Sequence, residues 1–285
     1  LNTVKTYLTV NTGIQSHTCD DIDGFDVDHA DFQAQGLPSG GVTEYRGIHV
    51  AQGGRIFYIL RKTGEVNRYD LSTPFDFRTA KYVQRIDLAT DTKTTGFSIS
   101  KDGTKLYQMD SGTDDDTPVL KTYSLSPAFD ITSATEIHSA NLYTDFGVTD
   151  LEGNQSFRDI EFSSSGDQMF ISALDTNDFT NNRIYIFSLS KNFDVSTQTL
   201  LGFHKVVYPD HATGLGTSWG FSFSSDGMKL FTVQLATPAN RIDQVHQFDL
   251  ECPYGLIKCS SDISSSIEVQ VELAKQNISL NVNSI

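Results

Sequence analysis

Apolar and polar residues alternate along much of this chain, and the alternation itself recurs. In Thr95-Gly96-Phe97-Ser98-Ile99-Ser100-Lys101-Asp102-Gly103-Thr104-Lys105-Leu106-Tyr107, Phe97 and Ile99 alternate with small or polar residues before an Asp-Gly turn, and Leu106 and Tyr107 open a second apolar run after it. Trp219-Gly220-Phe221-Ser222-Phe223-Ser224-Ser225-Asp226-Gly227-Met228-Lys229-Leu230-Phe231 repeats the pattern. Weaker copies open at Tyr45-Arg46-Gly47-Ile48 and Phe157-Arg158-Asp159-Ile160. Period-two alternation marks half-buried strands, and Gly at a tight turn supplies the positive φ that a hairpin needs. The repeat length is roughly 50 to 60 residues, which decides the architecture before any local propensity does.

Each copy reads as four strands. First strands are predicted at 45–50, 96–100, 158–163 and 219–224, and second strands at 55–60, 105–109, 168–172 and 229–233. Third strands fall at 66–71, 120–125, 184–189 and 245–250, with an aromatic at one fixed place: Tyr69, Tyr123, Phe187 and Phe248. A corner follows: Pro74-Phe75-Asp76, Ala128-Phe129-Asp130, Asn192-Phe193-Asp194 and, in altered form, Pro253-Tyr254-Gly255. Phe is expected to plug the core there and Asp to bond the turn backbone. Fourth strands are placed near 82–88, 134–143 and 200–208.

Four-stranded antiparallel units repeated in this way predict an all-β fold, a β-propeller. No sustained 3.6-residue apolar period occurs within 45–256, which excludes a helical solenoid, and a β-sandwich does not call for four similar sub-units. Four blades are favoured. The fourth copy runs out at Leu250, and Phe25 to Phe32 resembles Phe75 to Tyr82, so an N-terminal strand is expected to close the last blade. Val4 to Val10 also looks like a third strand, close to Leu120 to Ser126, which leaves five blades as the alternative.

The Leu-Ser-x-x-Phe-Asp corner, followed by the Ser-x-Asp-Gly-x-Lys turn, resembles β-propeller repeats of secreted, cell-surface and phage-tail-associated proteins of marine bacteria and their viruses. The resemblance spans about 45–256 and implies a scaffold without shared catalytic residues. Four blades with an end-to-end disulfide are similar in architecture to the hemopexin type of propeller. The segment from Ile267 is similar to stretches that precede the membrane barrel in bacterial autotransporters, which implies a passenger domain.

Composition and charge then narrow the partners. The net charge of −15 argues against nucleic acid and anionic lipid, whose phosphates need a concentrated basic surface. No run approaches the roughly eighteen apolar residues of a membrane helix. The chain starts at Leu1 without a signal peptide, so it reads as a processed fragment, and the expected location is extracellular or the cell surface. Cys19, Cys252 and Cys259 flank the repeats; they suit one disulfide of unassigned pairing rather than a zinc site. The expected organisation is a propeller over 1–259, a linker over 260–266 and a stalk or homo-oligomerisation segment over 267–285, either helix or strand.

Candidate chemistry sits where the copies disagree. The long connections 110–119, 142–156, 173–182, 209–218 and 234–243 vary most and belong to one face, and binding residues concentrate on loops mounted on rigid scaffolds. Just before the shared small residue of each first strand stand Arg46, Thr95, Arg158 and Trp219, with Tyr45, Phe157 and Asp159 beside them. Arg, Trp and Tyr dominate binding energy in concave sites. Asp20, Asp21, Asp23 and Asp26 form an acidic run that could wrap calcium, without EF-hand spacing, and Asp110 with Asp114 to Asp116 is a second such run. The histidines show no HExxH spacing, and no Gly-x-Ser-x-Gly elbow occurs. The expectation is a non-catalytic extracellular binding or adhesion module for a glycan or surface protein, with calcium the one cofactor considered. The alternatives are a calcium-dependent, lactonase-like hydrolase in the channel and a structural spacer of a fibre.

Overall fold

The computed structural model describes residues 5–9, 45–61, 63–88, 94–111, 118–148, 155–175, 182–206, 217–235 and 244–257. These fold as four four-stranded antiparallel sheets, the blades of a β-propeller. Blade 1 contains β2 (Tyr45–Ala51), β3 (Ile56–Arg61), β4 (Glu65–Leu71) and β5 (Ala80–Asp87). Blade 2 contains β6 (Thr94–Ile99), β7 (Lys105–Asp110), β8 (Val119–Ser124) and β9 (Thr135–Asn141), and blade 3 contains β10 (Gln155–Phe162), β11 (Gln168–Asp175), β12 (Arg183–Leu189) and β13 (Gln198–Lys205). Blade 4 is built from β14 (Thr217–Phe223), β15 (Lys229–Leu235), β16 (Gln244–Asp249) and the N-terminal β1 (Lys5–Thr9).

The N-terminal closure takes a different segment from the one the sequence suggests. It is Lys5–Thr9 that pairs antiparallel with β16, Lys5 opposite Asp249 and Thr9 opposite His246. The likeness of this segment to a third strand therefore reflects its place as the outer strand of blade 4 and not a fifth blade. Residues 25–32, the closing strand expected from the sequence, lie outside the described residues, as do 260–285.

Corner geometry explains why the repeat is so constant. Asp76, Asp130 and Asp194 each cap a short 3-10 turn, their Oδ1 atoms accepting from the backbone N–H of Arg78, Thr132 and Ser196 at 3.1, 3.0 and 3.2 Å. The residue before each is aromatic with positive φ: Phe75 at 61°, Phe129 at 66° and Phe193 at 59°. Tyr254, at 58°, takes this place in the fourth copy despite its altered sequence. Each ring lies flat on a turn glycine. A Cβ on Gly103 or Gly166 would stand 2.4 or 2.3 Å from the ring, so Gly meets both a steric and a φ requirement there.

Between blades these corners act as latches. Phe129 carbonyl accepts from Tyr58 Oη at 3.0 Å and from Arg68 Nη1 at 2.9 Å, while Phe193 carbonyl accepts from Tyr107 Oη at 2.6 Å and Lys105 Nζ at 2.9 Å. Tyr254 Oη accepts from Ser164 N–H at 3.0 Å. The corners of blades 2, 3 and 4 thus bond the preceding blade, and Phe129, Phe193 and Tyr254 pack into the apolar clusters between blades. Phe75 departs from the expected plug: in the first blade it is 65% exposed. Tyr107→Phe removes one buried latch while leaving the ring in place, so a loss of about 1 to 2 kcal/mol is expected in a urea melt.

Three cores lie between successive blades, and a fourth, with Phe57 stacked on Tyr69 at 4.7 Å, occupies the other face of blade 1. The outer strands carry a bulge in the same place in three blades, at Val83, Ile137 and Leu201, each skipped in the pairing and each exposed. Such bulges bend the edge away from pairing with other chains. Cys19 and Cys259, which the disulfide expected from the sequence needs, both lie outside the described residues.

Candidate functional site

The inner strands β2, β6, β10 and β14 pack successively on one another. All four share an irregularity. The register jumps between Tyr45 and Gly47, Thr94 and Gly96, Phe157 and Asp159, and Ser218 and Gly220. The skipped residue in each case is Arg46, Thr95, Arg158 or Trp219. The four ring positions singled out in the sequence are therefore the bulge residues of the four inner strands. A bulge breaks strict alternation and re-aims a side chain, which is how a sheet edge presents a residue toward a site.

Arg46 and Arg158 are half-buried, one from blade 1 and one from blade 3, the two blades that flank blade 2. They lie close enough for the Arg46 charge to act on Arg158, whose guanidinium is lowered to about 10, first by desolvation and second by Arg46. Thr95, on the strand between them, is only 7% exposed, and its Oγ1 has no hydrogen-bond partner among the described residues. For Trp219 and Tyr45 the position in the strand is described and the side-chain surroundings are not. Phe157 is no ligand platform: it is fully buried, packing on Tyr143 and Tyr185 with ring centroids 6.0 and 6.3 Å away.

One step along each inner strand the register aligns Gly47, Gly96, Asp159 and Gly220. Small residues belong here because the inner strands converge: a Cβ on Gly96 would lie 2.6 Å from the Arg158 carbonyl oxygen. Asp159 breaks that rule and bridges to blade 4. Its Oδ2 accepts from Phe221 N–H at 3.3 Å and its Oδ1 from Ile160 N–H at 2.9 Å. Desolvation nonetheless dominates and raises its carboxyl to about 7.

Two residues further, the aligned positions are His49, Ser98, Glu161 and Ser222. Desolvation and the neighbouring Asp159 charge push Glu161 up to about 8, and Ser222 Oγ donates to it at 3.4 Å. Burial lowers the His49 imidazole to about 4, and its ring meets Phe97 edge-on with centroids 6.2 Å apart. Sequence reasoning missed His49 and Glu161 as members of one layer. The signal was available: both stand two residues after the aligned small position.

Among the described residues no group of three or more His, Cys, Asp and Glu side chains converges as a metal site. Asp20, Asp21, Asp23 and Asp26 lie outside the described residues, as do most of the long connections, including 112–117. No helix among the described residues is long and apolar enough to cross a membrane.

No protein-family description matches the chain, and no curated protein does. Among solved structures it is similar to the Cps50 (Swd1) β-propeller domain of Myceliophteria thermophila, at 13% identity and a TM-score of 0.40, over 73% of this chain and 54% of that one.

Proposed function

We propose that this protein is a non-catalytic binding module that engages a glycan or an extracellular surface partner through the face bearing its inner-strand bulges. The observation that carries the reading is the placement of four non-repeating residues, Arg46, Thr95, Arg158 and Trp219, at one repeated bulge of an otherwise repeating scaffold. A scaffold whose corners and turns are constant while one ring of positions diverges has the form of a rigid frame with an adjustable binding surface. Three cysteines that suit one disulfide support an extracellular or cell-surface location.

A glycan array probed with and without EDTA tests the reading. Retention of a defined glycan class without release of product supports it, and loss on EDTA would bring calcium into the account. Trp219→Ala is expected to weaken that binding at least tenfold, the scale of a stacked aromatic in a sugar site. Uniform background across the array, unchanged by Trp219→Ala, would remove glycans as the partner.

A second reading has one observation in its favour. Asp159 and Glu161 are held near neutral pH, where one carboxyl can donate a proton and the other accept one. That pairing suits a hydrolase in the channel, and product formation from a lactone or glycoside panel, abolished by Glu161→Gln, would establish it over the binding reading.

A further inference from the structure

We propose that this chain pairs with a second copy of itself at the seam between blades 1 and 4, the exposed Phe75 corner of one copy seating on Phe231 and Lys229 of the other. The inference goes beyond the binding reading and does not depend on it.

The corners supply the template. The second strands carry an aromatic at one aligned position, Tyr58, Tyr107, Phe170 and Phe231, opposite His49, Ser98, Glu161 and Ser222. The first three each hold the corner of the following blade. Tyr58 and Tyr107 donate to the Phe129 and Phe193 carbonyls, and the Phe170 ring stacks on Tyr254 with centroids 6.0 Å apart. Phe231 has the same place on blade 4, and the corner left for it is Phe75 of blade 1. That fourth latch is not made within the chain: Phe75 is 65% exposed, and neither ring belongs to an apolar cluster of the described residues.

The inner strands show the same open seam. β2 packs on β6, β6 on β10 and β10 on β14, and no comparable packing of β14 on β2 completes the circuit. Ile48 is aligned with Phe97, Ile160 and Phe221, which are buried in the clusters between blades, yet it is 51% exposed. Val50 is likewise exposed, whereas Ile99, aligned with it, is buried. Exposed apolar side chains gathered on one face mark an interaction surface.

The two unmade halves identify the occupant. Lys229-Leu230-Phe231 reproduces Lys105-Leu106-Tyr107, where Lys105 Nζ and Tyr107 Oη both donate to the Phe193 carbonyl, at 2.9 and 2.6 Å. Blade 4 therefore presents a receptor for a Phe-Asp corner, and blade 1 presents a Phe-Asp corner without a receptor. A second copy of the chain offers both. Lys229 Nζ rests on Asp249 at 2.7 Å, but that ion pair is exposed and contributes little, so the ammonium is free to turn to a carbonyl. Charge favours the same partner. Residues 45–88 hold eight Lys and Arg against four Asp and Glu, while residues 217–257 hold two against four, so a basic blade meets an acidic one. Since each copy has one corner and one receptor, a two-fold pair that returns the contact satisfies all four halves.

Sedimentation velocity of the full chain over a concentration series tests the proposal. The parent is expected to form dimers, and Phe75→Ser and Phe231→Ser should each raise the dissociation constant by about thirtyfold or more, the scale of a buried aromatic anchor. Circular dichroism and melting show whether each variant is folded. Lys229→Glu changes an exposed side chain and should weaken the dimer with little change in melting, so it stands in for Phe231→Ser if that variant does not fold. Mixing the corner variant with the receptor variant should restore association, because one brings an intact receptor and the other an intact corner.

A parent that stays monomeric throughout the series overturns the inference, and Phe75→Ser lowering the melting temperature of such a monomer would place the latch inside a single chain. Association that survives Phe75→Ser overturns it too, by assigning the contact to another surface. A mixture that remains as monomeric as its two components would sink the pairing of corner with receptor.

Discussion

Gly96→Ala is expected to lower the stability of the protein by about 3 kcal/mol or more, whereas Gly220→Ala, at the aligned position of blade 4, should change it by less than about 1 kcal/mol. The two glycines look equivalent in sequence, each lying between a bulge residue and a phenylalanine. Their surroundings differ. A Cβ at Gly96 would stand 2.6 Å from the Arg158 carbonyl oxygen and 2.9 Å from Asp159 Cα, both backbone atoms. These belong to β10, which is itself hydrogen-bonded into blade 3 and cannot swing aside as a side chain would. A Cβ at Gly220 meets only Asp159 Oδ2 at 3.4 Å, ordinary contact with the end of a side chain. Gly47 falls between, its nearest neighbour being the Phe97 ring at 3.3 Å. Parallel urea melts of the three alanine variants give the order Gly96, Gly47, Gly220, most to least damaging. Equal losses at 96 and 220 would mean that the inner strands of blades 2 and 3 do not approach as closely as described.

That asymmetry also shows what a repeat can and cannot disclose. The Asp-Gly turns and the Phe-Asp corners were readable as blades because each rests on local chemistry, positive φ and a capping carboxylate, whereas β6 and β7 are buried on both faces and show no period-two burial. Pro253-Tyr254-Gly255 was readable as the fourth corner even in altered form, and Tyr254 takes the same positive φ as the others. Lys5–Thr9 as the outer strand of blade 4 was harder, because it depends on tertiary pairing, which overrides the local pattern: β1 resembles a third strand and still pairs as a fourth. At the site, the ring of Arg46, Thr95, Arg158 and Trp219 could be picked out by alignment of the copies, but not the reason it is special. The bulge appears only in the register against the second strand, where one residue has no opposite number. Phe157 was misplaced for a related reason, since one step along a strand changes a solvent-facing position into a core one.

The carboxyls of Asp159 and Glu161 should make stability fall as pH rises through neutrality, and Asp159→Asn with Glu161→Gln should flatten that fall. Asp159 is raised from 3.8 to about 7 and Glu161 from 4.5 to about 8, both chiefly by desolvation and the second also by the first. Between the unfolded and folded values the native state holds more protons than the unfolded chain, so stability decreases with pH across about 4 to 8 and the loss is complete above the upper value. Each pKa unit corresponds to about 1.4 kcal/mol, so the pair together can remove several kcal/mol, an upper bound for groups that water partly reaches. Acid pulls in the opposite direction. The capping Asp130 and Asp194 are held below the ordinary carboxylate value by hydrogen bonds from Thr132 and Ser196, and so lose their contribution as pH drops below about 4. His49, lowered from 6.5 to about 4, resists folding once unfolded chains protonate below 6.5. Two carboxyls outweigh the one imidazole between pH 4.5 and 6.5, so maximum stability is expected near pH 4 to 5, with Asp159 and Glu161 shaping the whole limb above it. Asparagine at 159 keeps an oxygen for the Phe221 N–H and removes the charge, so the double variant should match the parent near pH 3 and exceed it by a growing margin up to pH 9. Melting curves across that range that stay parallel for the two proteins would show that these carboxyls ionise freely in the folded state, and that the inner strands of blades 3 and 4 leave them in open water.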